Sequence, residues 1–405
     1  MIRIIFWNSF GFMFYGFMIP YVSSEHFAVN ASIIGIFIAA QPFGRLLITP
    51  LVGYLTDKIS KKLLVMIGSL GRTISYTIFY FSITLESPIG FGVAIFVQGV
   101  LVAFFWPPFN SLVAEKSSKF YRSEAYGKRH GMIGYGSFVG AIISFVLFAL
   151  GLYVFNENPW IQYSSLIIFA CINVFAGLRF LNKVDVNIKF QELEEEIDLI
   201  KENNSSVRVT NKLKWRIIFG FIFLSVTVLF SSMNEHTTQP FIQVFMYDNL
   251  ELTTIAVMII LYVSRIISLI AAPKLGVIAD KVGMIGFVAV SIIGSLVTAI
   301  IISTTITWLF VTLLLIDLTL ATAGQLIAQN LFSRISLTHR GRIFGLVEIM
   351  NQSGWLIGPI IGGWFYQFIG PKSPFIMSII LELSLIPFFI LALRRLSTQM
   401  DEKIE

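Results

Sequence analysis

Pro50-Leu-Val-Gly53-Tyr-Leu-Thr-Asp57-Lys58 closes one long apolar run, and Pro273-Lys-Leu-Gly276-Val-Ile-Ala-Asp280-Lys281 closes another. Proline, glycine, aspartate and lysine keep one spacing in both copies, which lie 223 residues apart. Gly127, Gly136 and Gly140 are spaced as Gly345, Gly354 and Gly358 are, and Pro20 answers Pro240. One such match arises easily by chance. Several in the same order, at offsets of 218 to 223, mark an internal duplication.

The duplicated material is apolar. Charged residues make up 13% of the 405 and hydrophobic ones 56%, with a mean hydropathy of +0.80, where a soluble chain would carry about 25% charge. Such a chain cannot cover itself with polar surface, so its solvent is lipid. A span needs about 20 apolar residues, and runs of that kind fall at 4–22, 32–55, 63–84, 89–113, 131–155, 160–181, 216–245, 253–278, 284–303, 307–333, 344–369 and 374–394. Their length excludes barrel strands of about ten alternating residues. The expectation is an all-α polytopic protein of the cell membrane, with twelve transmembrane helices in two pseudo-symmetric six-helix bundles. The first run, from Ile4, shows no cleavage site and reads as first span and signal anchor together.

Charge orients the spans. Lys58, Lys61, Lys62, Lys116, Lys119, Arg122, Lys128, Arg129, Arg334, Arg340, Arg342, Arg394 and Arg395 fall on one side, whereas the opposite loops hold only Lys372. This positive-inside pattern places both termini in the cytoplasm. It also accounts for the net charge of +6 without a nucleic-acid partner. One cysteine, Cys171, excludes an internal disulfide and a thiolate metal cage. The expected domains are 1–182, a linker at 183–215 and 216–405. In the linker, Phe190, Leu193, Ile197 and Ile200 recur at helical spacing among acidic residues, an amphipathic helix.

Gly53-Tyr-Leu-Thr-Asp57-Lys58-Ile-Ser60-Lys61-Lys62 resembles the loop signature of the major facilitator superfamily, and Gly276 to Gly283 resembles its second copy. With twelve spans and a central linker, the resemblance covers nearly the whole chain. It implies a secondary transporter that moves a small solute by alternating access. It further implies that Asp57 faces the start of the eleventh helix, near Arg340 and Arg342, and that Asp280 meets the fifth near Lys128 and Arg129. A helix N-terminus favours a carboxylate, so these residues, with Gly53, Lys58, Lys61, Lys62, Gly276 and Lys281, read as a cytoplasmic gate; ordinary positive-inside anchoring is the plainer alternative. Ser60 stands where the family has glycine, Met284 and Ile285 replace the second basic pair, and Ile95 stands where drug–proton antiporters place arginine. These departures weaken a drug-antiporter reading.

Ionisable groups at membrane depth usually face a cavity or a partner. Here they are Arg45, Arg72, Glu235, His236, Arg265, Asp317 and Glu382. The resemblance implies that helices 1, 4, 7 and 10 line the cavity, which points to Glu235 and Asp317. Ser231, Glu235 and Thr238 share a helical face with Asn234 and Gln239 beside it, and Pro240 frees a backbone carbonyl there. Asp317, Ala321 and Gln325 form a second stripe. Glu235, Asp317 or His236 would carry a coupling proton, or Glu235 and Asp317 would form static pairs with Arg265. Arg45 and Arg265 would suit an organic anion or merely stiffen their own halves. Tyr15 and Trp106 could line the cavity. The partners expected are a small solute, protons and the lipid bilayer, with a monomeric chain and no cofactor or metal. The alternatives are drug or lipophilic-compound efflux by proton antiport and an uncoupled facilitator. An intramembrane enzyme lacks a catalytic set, and a duplicated carrier-like chain disfavours a channel.

Overall fold

The computed structural model describes residues 2–115, 122–183, 211–333 and 340–396. Every regular element among them is helical, as lipid demands of a backbone that must satisfy its own hydrogen bonds. Eight stretches among the described residues are long and apolar enough to cross a membrane. The protein is an all-α, multi-pass membrane protein.

The first span differs from the unbroken helix expected over 4–22. It consists of α1 (Ile2–Asn8) and α2 (Phe12–Tyr21), followed by one π-helical turn, Val22–His26. Asn8, Ser9 and Gly11 are weak helix formers, and Ser9 Oγ donates back to the Ile5 carbonyl at 2.7 Å. Next come α3 (Ala31–Lys58) and α4 (Lys61–Thr84). The fourth span is also broken, into α5 (Pro88–Val102) and α6 (Trp106–Glu115). Pro107 and Pro108 open α6, where a missing N–H costs nothing. Then follow α7 (Arg122–Ala149) with a π turn at Leu150–Val154, α8 (Pro159–Gln162) and α9 (Ser165–Lys183).

In the second half, α10 (Asn211–Leu250) takes in the end of the expected linker. The remainder, 184–210, with its amphipathic stretch, lies outside the described residues. A second correction concerns spans 253–278 and 284–303: one helix, α11 (Thr254–Ile301), runs through both and through the second motif copy. Between Ala279 and Met284 there is neither proline nor a paired turn signal to stop it. The chain ends in α12 (Thr307–Ser333), α13 (Arg340–Phe368) and α14 (Ser373–Leu396).

The contacts divide the chain into two compact units, Met1–Val29 with Ala40–Ser205, and Asn30–Ala39 with Ser206–Glu405. The start of α3 thus packs with the second unit, where the Ser32 N–H donates to Gln367 Oε1 at 3.2 Å.

The duplicated glycines have the same job in both units. On α7, a Cβ at Gly136 would stand 2.1 Å from the Phe6 carbonyl oxygen and one at Gly140 1.7 Å from that of Phe10. On α13, a Cβ at Gly354 would stand 2.7 Å from the Leu229 carbonyl oxygen and one at Gly358 2.9 Å from that of Met233. Leu229 and Met233 are Phe6 and Phe10 displaced by 223 residues. Helices in lipid gain nothing from burying leucine against leucine; close backbone approach through small residues gives the contact area instead. Ser137 Oγ donating to the Ser9 carbonyl at 3.3 Å and Ser232 Oγ to that of Asn351 at 2.7 Å reinforce the two seams.

Candidate functional site

In the second unit the two polar stripes expected from the sequence meet at one point. Gln325 on α12 donates through Nε2 to Glu235 Oε2 on α10 at 2.7 Å. Glu235 is half-buried and Gln325 exposed. Around them α10 is polar. Ser378 Oγ on α14 donates to Asn234 Oδ1 at 2.5 Å, and Thr238 Oγ1 to the Asn234 carbonyl at 3.4 Å. His236 points the other way, to α13: its Nδ1 donates to the Ser232 carbonyl at 2.9 Å, and its ring lies 4.9 Å from that of Trp355. Gln239 is exposed, and buried Pro240 follows it.

Asp317 does not join this pair. Eight residues rotate a helix by about 80°, so Asp317 and Gln325 face different neighbours. Asp317 Oδ1 accepts from Thr298 Oγ1 on α11 at 3.2 Å. Arg265 is exposed on α11, and among the described residues no ion pair joins it to Glu235 or Asp317.

In the first unit the buried charge is Arg72, 1% exposed. Its Nη1 donates to the Asn8 carbonyl at 2.9 Å and to Asn8 Oδ1 at 3.2 Å, where Ser69 Oγ also donates at 2.9 Å. The guanidinium carbon stands 5.0 Å from the ring centres of both Phe12 and Phe105. A cation thus caps the carbonyl end of α1 where the first span breaks, between two aromatic faces. Tyr15 packs edge-on against Phe79 at 5.5 Å, with its hydroxyl buried. Trp106 is half-buried beside Phe12. Asn8 was missed by the sequence reading, although Asn8-Ser9 inside a 19-residue apolar run is the signal for it.

The gate residues are described in part. Gly53 is exposed, with no atom within 4 Å of a Cβ. Lys58 Nζ donates to the Tyr54 hydroxyl and stands 4.3 Å over its ring, while Lys61 and Lys62 are half-buried. Arg129 donates to Asn110 Oδ1 on α6 and lies 6.0 Å from the Trp106 ring. Arg45 is half-buried, its carbonyl accepting from Thr49 Oγ1 at 2.7 Å. The side chains of Asp57, Asp280, Lys281, Arg340 and Arg342, and the surroundings of Gly276, lie outside the described residues.

Comparison with known proteins gives a consistent result. The family model described as Major Facilitator Superfamily matches residues 4–331 and again 224–405. "Multidrug resistance protein 2" of Bacillus subtilis (strain 168) is 22% identical over 369 residues, 88% of this chain and 86% of that protein. A bacterial homolog of the human lysosomal transporter Spinster superposes with a TM-score of 0.75 at 13% identity, over 100% of this chain and 98% of that one. A structure of proton dependent oligopeptide transporters gives 0.71 at 15% identity, over 98% and 96%. At these identities the solved structures show a shared fold.

Proposed function

We propose a transport role from one premise: the chain belongs to the Major Facilitator Superfamily. It moves a small solute across the lipid bilayer by alternating access. The finer reading is twelve spans in two six-helix bundles with both termini cytoplasmic, and transport coupled to protons through Glu235. The hydrogen bond from Gln325 to Glu235 carries that reading. An arginine partner would hold a carboxylate in one charge state. An amide partner serves both, donating through its NH2 to the carboxylate or, turned over, accepting through its carbonyl from the acid. Glu235 thus keeps a partner through a protonation cycle while bridging α10 and α12.

Arg265, exposed and outside any ion pair with these carboxylates, makes an organic anion the first solute class to test. The name of the Bacillus relative favours a lipophilic drug exchanged for protons as the second. The gate assignment for Asp57, Asp280 and their basic neighbours rests on the doubled motif.

The test is a comparison in proteoliposomes of counterflow with accumulation driven by a pH gradient. Glu235→Gln is expected to lose gradient-driven accumulation and retain counterflow, because exchange needs no net protonation change. Normal accumulation by Glu235→Gln removes Glu235 as the coupling group; loss of both activities points to a structural role.

A further inference from the structure

Three polar groups of the first unit are buried close together without a hydrogen-bond partner. Arg72 Nε, the Tyr76 hydroxyl and the Tyr15 hydroxyl are shut away from solvent, and none of them completes a hydrogen bond. Arg72 is 1% exposed and Tyr76 0%. Four residues apart on α4, the two are neighbours on one helical face, and each acts electrostatically on the other. Tyr76 acts likewise on Tyr15, whose ring rests against Phe79 on the next turn of α4. By contrast, Tyr80 on the same helix is satisfied, its hydroxyl donating to the Trp160 carbonyl at 3.0 Å.

The cluster lies at the break in the first span. Arg72 spends Nη1 on Asn8, at the end of α1. The Tyr76 hydroxyl lies against Gly11, where a Cβ would overlap it. Gly11 is the N-cap of the ten-residue α2 and provides no side-chain cap, so the positive end of that helix opens beside the tyrosine. Guanidinium, phenols and helix end all offer protons. Among the described residues no carboxylate acts on Arg72. A cation at membrane depth without a counter-charge is costly, and buried donors left unpaired add to that cost. An anion with several lone pairs answers both. The walls are aromatic: Phe12 and Phe105 flank the guanidinium, and Trp106 stands 6.2 Å from Phe12. Phe12, Trp106 and Tyr15 are half-buried, and exposed Gly16 has no atom within 4 Å of a Cβ, so α2 has open space beside Tyr15.

We propose that Arg72, Tyr76 and Tyr15, at the N-terminus of α2, bind the carboxylate of a small organic acid whose apolar body lies against Phe12 and Trp106. The two oxygens of a carboxylate offer about four lone-pair sites, enough for the three orphaned groups, and bonds between ionised partners are the strong ones. The proposal deepens the transport reading, in which an organic anion is the first solute class, by giving the head group a place in the first unit. Binding is measured without transport, so the two readings fail separately.

The experiment uses the purified full-length protein in lipid nanodiscs at neutral pH. Its thermal midpoint is followed as acetate, benzoate or 3-phenylpropanoate replaces chloride at constant ionic strength, beside equilibrium binding of radioactive benzoate. The carboxylates are expected to raise the midpoint saturably, the aromatic acids at lower concentration than acetate, while neutral benzamide has no effect. Tyr76→Phe and Tyr15→Phe keep the rings and remove only unbonded hydroxyls. Without ligand each should be as stable as the wild type or more so, and each should weaken benzoate binding at least about fivefold. Tyr80→Phe, which removes a bonded hydroxyl on the same helix, should bind benzoate unchanged. The proposal is overturned if none of the three acids binds, if benzamide or chloride stabilises as well as benzoate, or if both phenylalanine variants bind benzoate as the wild type does. It is equally overturned if both variants are less stable than the wild type without ligand, which would make the hydroxyls holders of a buried water.

Discussion

Replacing Gly140 by alanine tests whether the duplicated glycines set the spacing of helices within each unit. The new Cβ would stand 1.7 Å from the Phe10 carbonyl oxygen and 2.4 Å from its carbon. Ordinary contact begins near 3.4 Å, so α7 must withdraw from the first span by more than an ångström. The contact is with backbone atoms in the break between α1 and α2 and not with the end of a flexible side chain, and overpacking of this kind costs about 1–3 kcal/mol. At about 2–4 °C per kcal/mol, the midpoint should fall by several degrees in a fluorescence-detected size-exclusion melt. The matched position predicts a graded series. Gly358→Ala approaches the Met233 carbonyl oxygen only to 2.9 Å and should cost less. Gly53→Ala meets no atom within 4 Å and should be neutral or gain up to about 1 kcal/mol from helix propensity. A Gly140→Ala protein as stable as the wild type, or less harmed than Gly53→Ala, would refute the reasoning.

Two further outcomes follow from the site. Arg72→Leu should lower stability by about 2 kcal/mol, since it removes charge-assisted bonds to Asn8. Arg72→Lys should be worse still, because it keeps a buried charge and loses the stacking on Phe12 and Phe105; thermal midpoints that rank lysine nearest the wild type would show that charge alone matters. Gln325→Leu should impair gradient-driven accumulation more than counterflow by stripping Glu235 of the partner that suits both protonation states, and equal impairment of the two would remove Gln325 from coupling.

What the sequence made legible and what it hid divide along one physical line. Apolar length reveals spans, and the doubled spacing of Gly136 and Gly140 with Gly354 and Gly358 reveals that two helices must approach closely. It does not reveal the partner, because a carbonyl oxygen such as that of Phe10 has no residue signature. The break in the first span escaped because Asn8-Ser9 is compatible with a helix until Arg72 and Ser69 claim the Asn8 amide. The stripe Asp317–Ala321–Gln325 was read as one face, although a rotation of about 80° over eight residues sends its ends to different helices. Gln325 meets Glu235 on α10, whereas Asp317 meets Thr298 on α11. The continuous α11 escaped for a related reason: the motif Gly276-Val-Ile-Ala-Asp280-Lys281 signals a helix end only through its resemblance, and its own residues are compatible with a helix.

The duplication also shows how one architecture carries two electrostatic roles. Both units pair a first and a fifth helix through the same glycines, so the frame is common to them. In the first unit the buried charge is permanent: Arg72 stays protonated at any physiological pH and is bonded to Asn8 and enclosed by Phe12 and Phe105. No proton of that guanidinium is poised to exchange. In the second unit Glu235 and Asp317 are half-buried carboxylates whose partners among the described residues, Gln325 and Thr298, are neutral and tolerate more than one charge state. The side chains differ accordingly: Arg72 anchors the broken first span of the first unit, while Glu235 and Asp317 in the second are held by the neutral side chains of Gln325 and Thr298.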